Sequence, residues 1–154
     1  MDQNNISFAG SGRVASALCK ELFSAGFNIE TVVSESEERG RPLADSCNAN
    51  WSSDLVYSDS TEIIIVAVPD HKLGMVLNTI KCSPDTIIVH TAGSYGLEIF
   101  PENIRHKGVF YPLQTFSKNR TVSFTGLPVL VESSDDITSS ILAELARSLS
   151  AKVN

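Results

Sequence analysis

The chain has 154 residues, 42% of them hydrophobic and 19% charged, with a formal net charge of -6. That length suits one domain with a complete core and leaves no room for a second full domain. Scattered Lys and Arg exclude nucleic acid, whose phosphates need clustered cations, and no apolar run approaches the roughly 18 residues of a membrane span.

In chain order, residues 6–9 read as a short apolar strand running into the turn Gly10-Ser11-Gly12-Arg13-Val14-Ala15. Beyond it Val14, Ala15, Leu18, Cys19, Leu22 and Phe23 recur at helical spacing, and Gly26 is placed to end that helix. A second strand follows over 29–33, a weaker helix over 37–47 and a brief edge strand near Trp51. Residues 62–68 form the strongest strand, a β-branched run of the kind buried on both faces. Pro69 stops it, and Asp70 is placed to cap a helix through Leu73, Val76, Leu77 and Ile80.

Strands at 86–89 and 108–111 come next, the latter broken by Pro112, then one at 127–131 whose Pro128 suits an edge strand. The last helix sets Ile137, Ile141, Leu142, Leu145 and Leu149 on one face, and 151–154 read as the start of a final strand. Strands alternating with helices throughout predict an α/β Rossmann fold: an open, mainly parallel, doubly wound sheet with helices on both faces. Cys19, Cys47 and Cys82 have neither zinc-ligand nor CxxC spacing, so no metal or disulfide framework is expected. Residues 1–5 do not read as a signal peptide, and reduced thiols in a cytoplasmic protein are expected.

The turn at 10–15 has the spacing GxGxxA between a strand and an amphipathic helix, the context in which such a turn holds a dinucleotide pyrophosphate. Gly10 allows the tight turn, Gly12 the approach of the phosphates, and Ala15 close helix–strand packing. Free N–H groups at Ser11, Gly12, Arg13 and Val14, with the helix dipole behind them, favour an anion there. About 20 residues on, the second strand ends in Val33-Ser34-Glu35-Ser36, where the cofactor is selected. Glu35 would accept from a ribose 2′-OH, whereas Ser34 and Ser36, backed by Arg39 or Arg41, would receive a 2′-phosphate.

Ligands in such sheets lie outside the carboxyl ends of the strands. The loops there carry Val68 and Pro69, then His90, Thr91 and Ala92, then Tyr111 and Gln114. His90 is either a proton donor near the nicotinamide or a hydrogen-bonded core residue; Tyr111 and Gln114 are further candidate donors. His71 and His106 read as surface residues.

Over nearly its whole length the chain resembles the N-terminal Rossmann-like domain of the bacterial NADP oxidoreductases called coenzyme deazaflavin-dependent-like, in the 6-phosphogluconate dehydrogenase-like superfamily. The turn at 10–15, the strings at 67–70 and 89–94, and above all Phe110-Tyr111-Pro112-Leu113-Gln114-Thr115-Phe116-Ser117 carry the resemblance. It implies NADP(H) on the glycine turn, NAD being the alternative, and an oxidoreductase acting on an unidentified small substrate. It also implies a C-terminal helical domain that these 154 residues do not include, so the chain alone is expected to be inactive and to expose apolar surface suited to a homodimer. Arg13 stands where the family usually has asparagine, and Glu35 where an arginine often follows the serine. The reading from another class is a non-catalytic module that senses a dinucleotide.

Overall fold

The structure, a computed structural model, describes residues 4–113, 126–149 and 152–153. In chain order the elements are β1 (Asn5–Ala9), α1 (Arg13–Ser24), β2 (Asn28–Val33), α2 (Glu37–Ser46), β3 (Asn50–Ser52) and β4 (Ile63–Val66). Then come α3 (Asp70–Thr79), β5 (Ile87–His90), a 3-10 turn (Leu97–Ile99), β6 (His106–Pro112), β7 (Pro128–Ser133), α4 (Asp136–Ser148) and β8 (Lys152–Val153).

The β-branched run of β4 explains the two-sided core. Side chains alternate across a strand, so Ile63 and Ile65 join one apolar cluster while Ile64 and Val66 join the other. The first cluster lies under α1, α2 and α4, with Leu18, Leu22, Leu43, Leu142 and Leu145 packed on the sheet. The second lies under α3, through Leu73, Val76 and Leu77, and is closed by Phe100 after the 3-10 turn. Each fully buried aliphatic side chain contributes about 1.5–3 kcal/mol relative to exposure. Helices therefore cover both faces, as the alternating sequence pattern required.

The eight strands run in the order β3-β2-β1-β4-β5-β6-β7-β8. Every pairing is parallel except β6 with β7, where Gly108 faces Ser133 and Pro112 faces Val129. The chain leaves β1 toward β2 on one side and returns to β4 on the other. The carboxyl edge between β1 and β4 is thus the switch point where a crevice opens.

Four local expectations are corrected. Pro69, not Asp70, takes the N-cap position of α3; Asp70 is its first helical residue and makes no cap hydrogen bond, its charge instead lying at the positive helix end. Pro112 does not break β6 but is its last residue, and Leu113 N–H still donates to Pro128 O (2.9 Å). β7 is an inner strand because β8 pairs with it; Pro128 is tolerated as its first residue rather than by an edge. Ile137 is 70% exposed, because Asp135 caps α4 and turns Thr138, Leu142, Leu145 and Ala146 inward instead.

Cys19 and Cys47, 28 residues apart, meet in the first cluster with their sulfurs 3.3 Å apart. Burial pushes the Cys19 thiol up, and both cysteines are free thiols. Among the described residues no helix is long and apolar enough to cross a membrane, and no group of three His, Cys, Asp or Glu could hold a metal ion.

Candidate functional site

A cleft of about 1380 Å³ opens at the switch point. It brings together Gly10, Ser11, Gly12, Arg13 and Val14 of the glycine turn, Ser34 and Glu35 after β2, and Val68, Pro69, Thr91 and Ala92 after β4 and β5.

The two glycines of the turn are there for different reasons. Gly10 has φ +116°, its N–H donates to Val33 O (2.8 Å), and a Cβ on it would lie 2.1 Å from the Ala67 carbonyl oxygen. The protein itself demands glycine at that position. Gly12 has an ordinary φ of -77°, and a Cβ on it would meet nothing within 4 Å. No neighbour in the fold excludes a side chain from Gly12; the space beside it belongs to the cleft.

Gly12 is also the N-cap of α1. It supplies no side-chain cap, and no acidic residue lies in the first turn of the helix. Ser16 N–H closes the first intrahelical bond onto Gly12 O (2.9 Å). The amides before it point out of the helix without an intrahelical acceptor, and the helix dipole adds partial positive charge at the same place. Arg13 contributes a full charge beside them. This end of the cleft is built to attract an anion.

After β2 the geometry is more particular than the sequence suggested. The Ser34 hydroxyl is turned inward: it accepts from Trp51 Nε1–H (2.9 Å) and donates to Ser36 O (2.8 Å). Gly40 leaves the room for this knot, since a Cβ there would fall 2.0 Å from Ser34 Oγ. Ser34 lines the cleft, but its hydroxyl is committed to the fold, which corrects its expected availability to a phosphate. Ser36 caps α2 by accepting from Arg39 N–H (3.3 Å). Arg41 is turned away, paired with Glu37 (2.6 Å) and lying over the Trp51 ring (5.3 Å). Arg39 faces the cleft instead. Glu35 is paired with Lys72 of α3, Nζ to Oε2 2.9 Å, across the cleft mouth.

At the far end, His90 is fully buried at the close of β5. Its Nδ1 accepts from Ala92 N–H (3.0 Å), which fixes the neutral tautomer with the proton on Nε2; that N–H donates to Gly96 O (3.0 Å). The ring stacks on Phe100 (5.5 Å between centroids), and burial pushes its pKa below the usual histidine value. Of the two roles its position allowed, the geometry is that of the hydrogen-bonded core histidine. Tyr111 lies across Gly93, where a Cβ would fall 2.4 Å from its ring, rather than along the cleft wall. Gln114 lies outside the described residues. His71 is exposed, and His106 is a half-buried partner of Asp135 (3.0 Å) at the opposite edge of the sheet.

Lys72, Leu55 and Met75 also line the cleft and went unnoticed in the sequence. Lys72 had no local signal, since a lysine in the first turn of a helix ordinarily marks only a solvated face.

The family described as NADP oxidoreductase coenzyme F420-dependent matches residues 5–93. Among solved structures, a proposed NADP oxidoreductase from Bacteroides fragilis is 33% identical, with a TM-score of 0.86 over 99% of this chain and 60% of that one. A Thermotoga maritima protein is 22% identical, with a TM-score of 0.77 over 96% of this chain and 56% of that one. Prephenate dehydrogenase from A. aeolicus, solved with hydroxyphenyl propionate and NAD+, shares the fold at 11% identity, with a TM-score of 0.78 over 100% of this chain and 60% of that one. The chain thus spans about 60% of the length of these relatives. No curated protein matches it.

Proposed function

This chain belongs to the NADP oxidoreductase coenzyme F420-dependent family, and on that premise we propose that it holds NADP(H) with the pyrophosphate on the turn at 10–14, as the cofactor-binding part of a reductase or dehydrogenase. The observation that carries the reading is Gly12. A glycine with no neighbour to exclude a side chain, at an uncapped helix start inside the main cleft, is explained by a ligand that needs both the space and the amides.

When bound, the nicotinamide supplies the hydride. The chain's own residues do three things. The α1 amides and Arg13 hold the pyrophosphate. The loop after β2 receives the adenosine ribose. Val68, Pro69, Thr91 and Ala92 wall the nicotinamide end with small and apolar groups, limiting water there. His90 acts as a positioning residue: its two hydrogen bonds set the 91–96 turn, and it offers the substrate no free ring nitrogen.

The substrate we propose is a small molecule, bound with the help of residues outside this cleft. Orienting a reacting pair accounts for about 7–11 kcal/mol of barrier lowering, and the cleft orients only the cofactor.

Titration of the protein with NADPH and with NADH tests the reading. NADPH is expected to bind and, at 100 times its Kd, to raise unfolding free energy by about 2.7 kcal/mol. No change in melting temperature with either dinucleotide overturns it, and tenfold tighter NADH binding reverses the cofactor preference.

A further inference from the structure

We propose that Lys72 selects the 2′-phosphate of NADP(H), and that Glu35 holds this lysine at the cleft mouth until the phosphate takes its place. The inference rests on the dinucleotide reading above and adds a residue from a different element to the selection of cofactor.

The groups after β2 leave a phosphate few partners. The Ser34 hydroxyl is spent on Trp51 and Ser36 O, and Arg41 on Glu37 and the Trp51 ring; Ser36 Oγ accepts the Arg39 N–H at the cap of α2 and keeps only its O–H to offer a phosphate. Beside them stands Glu35, whose side chain is 72% exposed and whose charge would repel a phosphate. The structure answers that charge from another element. Lys72, 37 residues away in the first turn of α3, reaches over to place Nζ 2.9 Å from Glu35 Oε2, while Arg39 lines the same end of the cleft.

As a stabilising contact the pair is worth little, because exposed ion pairs contribute roughly 0–1 kcal/mol. Its position gives it another use. With Glu35 paired to Lys72, Arg39 is a further cation on the lining of the cleft. A lysine on a four-carbon stem can move its ammonium from carboxylate to phosphate with no backbone change. Glu35, mostly in solvent, can swing outward as it is released. The opposite arrangement, in which Lys72 only orients Glu35 toward the ribose hydroxyls of NAD, predicts instead a selective loss of NADH binding in Lys72→Met.

The test measures Kd for NADPH and NADH on the parent, Lys72→Met and Glu35→Gln, with thermal melts to confirm that each variant is folded. Lys72→Met is expected to weaken NADPH about tenfold and to leave NADH within about twofold, since it uncovers Glu35 and removes the cation. Glu35→Gln is expected to tighten NADPH about tenfold by freeing Lys72. Equal effects on both dinucleotides, no effect on either, or a selective loss of NADH in Lys72→Met would overturn the role of Lys72 and leave the dinucleotide reading standing. Failure of the parent to bind either dinucleotide removes that reading and this one with it.

Discussion

The turn after β1 and the turn after β5 end at the same edge of the sheet and line the same cleft, yet they use their polar groups in opposite ways. After β5 the groups bond one another: His90 Nδ1 takes the Ala92 N–H, its Nε2–H goes to Gly96 O, and Gly96 N–H goes to Glu98 Oε1 (3.0 Å). After β1 the first turn of α1 is uncapped and has no acid beside it. A position at the carboxyl edge is therefore not what marks a binding group. Hydrogen-bonding capacity left unspent by the fold is the better sign, because buried polar groups are nearly always satisfied by something.

The same contrast separates the glycines within the turn after β1, and it gives the largest expected effect. Gly10→Ala puts a Cβ 2.1 Å from the Ala67 backbone oxygen in a conformation with φ +116°, where no flexible side chain can yield. A loss on the order of 3 kcal/mol in unfolding free energy is expected, read from urea denaturation. A loss below about 1 kcal/mol would mean that the turn adapts, and the distinction between the two glycines would fail.

A smaller effect tests the turn after β5. Burial lowers the folded-state pKa of His90 below the unfolded value of about 6.5. As pH falls through that value the unfolded chain takes up a proton that the folded chain does not. Stability is therefore lost below about pH 6.5, by at most about 1.4 kcal/mol per pH unit from this group, and is unaffected above pH 7. His90→Gln is expected to be less stable at pH 7, with a shallower fall between pH 6.5 and pH 5. Identical slopes for variant and parent would show that His90 titrates freely and is not the sealed core residue described.

Much of the fold was legible because its signals are local. The β-branched run of β4, the helical spacing of α1 and the glycine turn between β1 and α1 each specify their conformation within a dozen residues. What escaped depends on partners distant in sequence. The inward turn of Ser34 is set by Trp51, 17 residues on, and the place of Lys72 by Glu35, 37 residues back. That β7 is an inner strand follows from its pairing with Lys152 and Val153, which no proline rule could anticipate. His90 was left between two roles because a strand end fixes where a side chain starts, not which backbone groups its nitrogens meet.

The most direct test of the dinucleotide site is NADPH titration of Gly12→Val beside the parent, with unfolding curves for both. With nothing within 4 Å of the added Cβ, the substitution should cost only about 1 kcal/mol of stability, the ordinary penalty for valine at an N-cap. It should also abolish the stabilisation by NADPH, since the side chain would occupy the space assigned to the pyrophosphate. A folded Gly12→Val protein that binds NADPH as tightly as the parent would contradict the assignment and place the dinucleotide elsewhere.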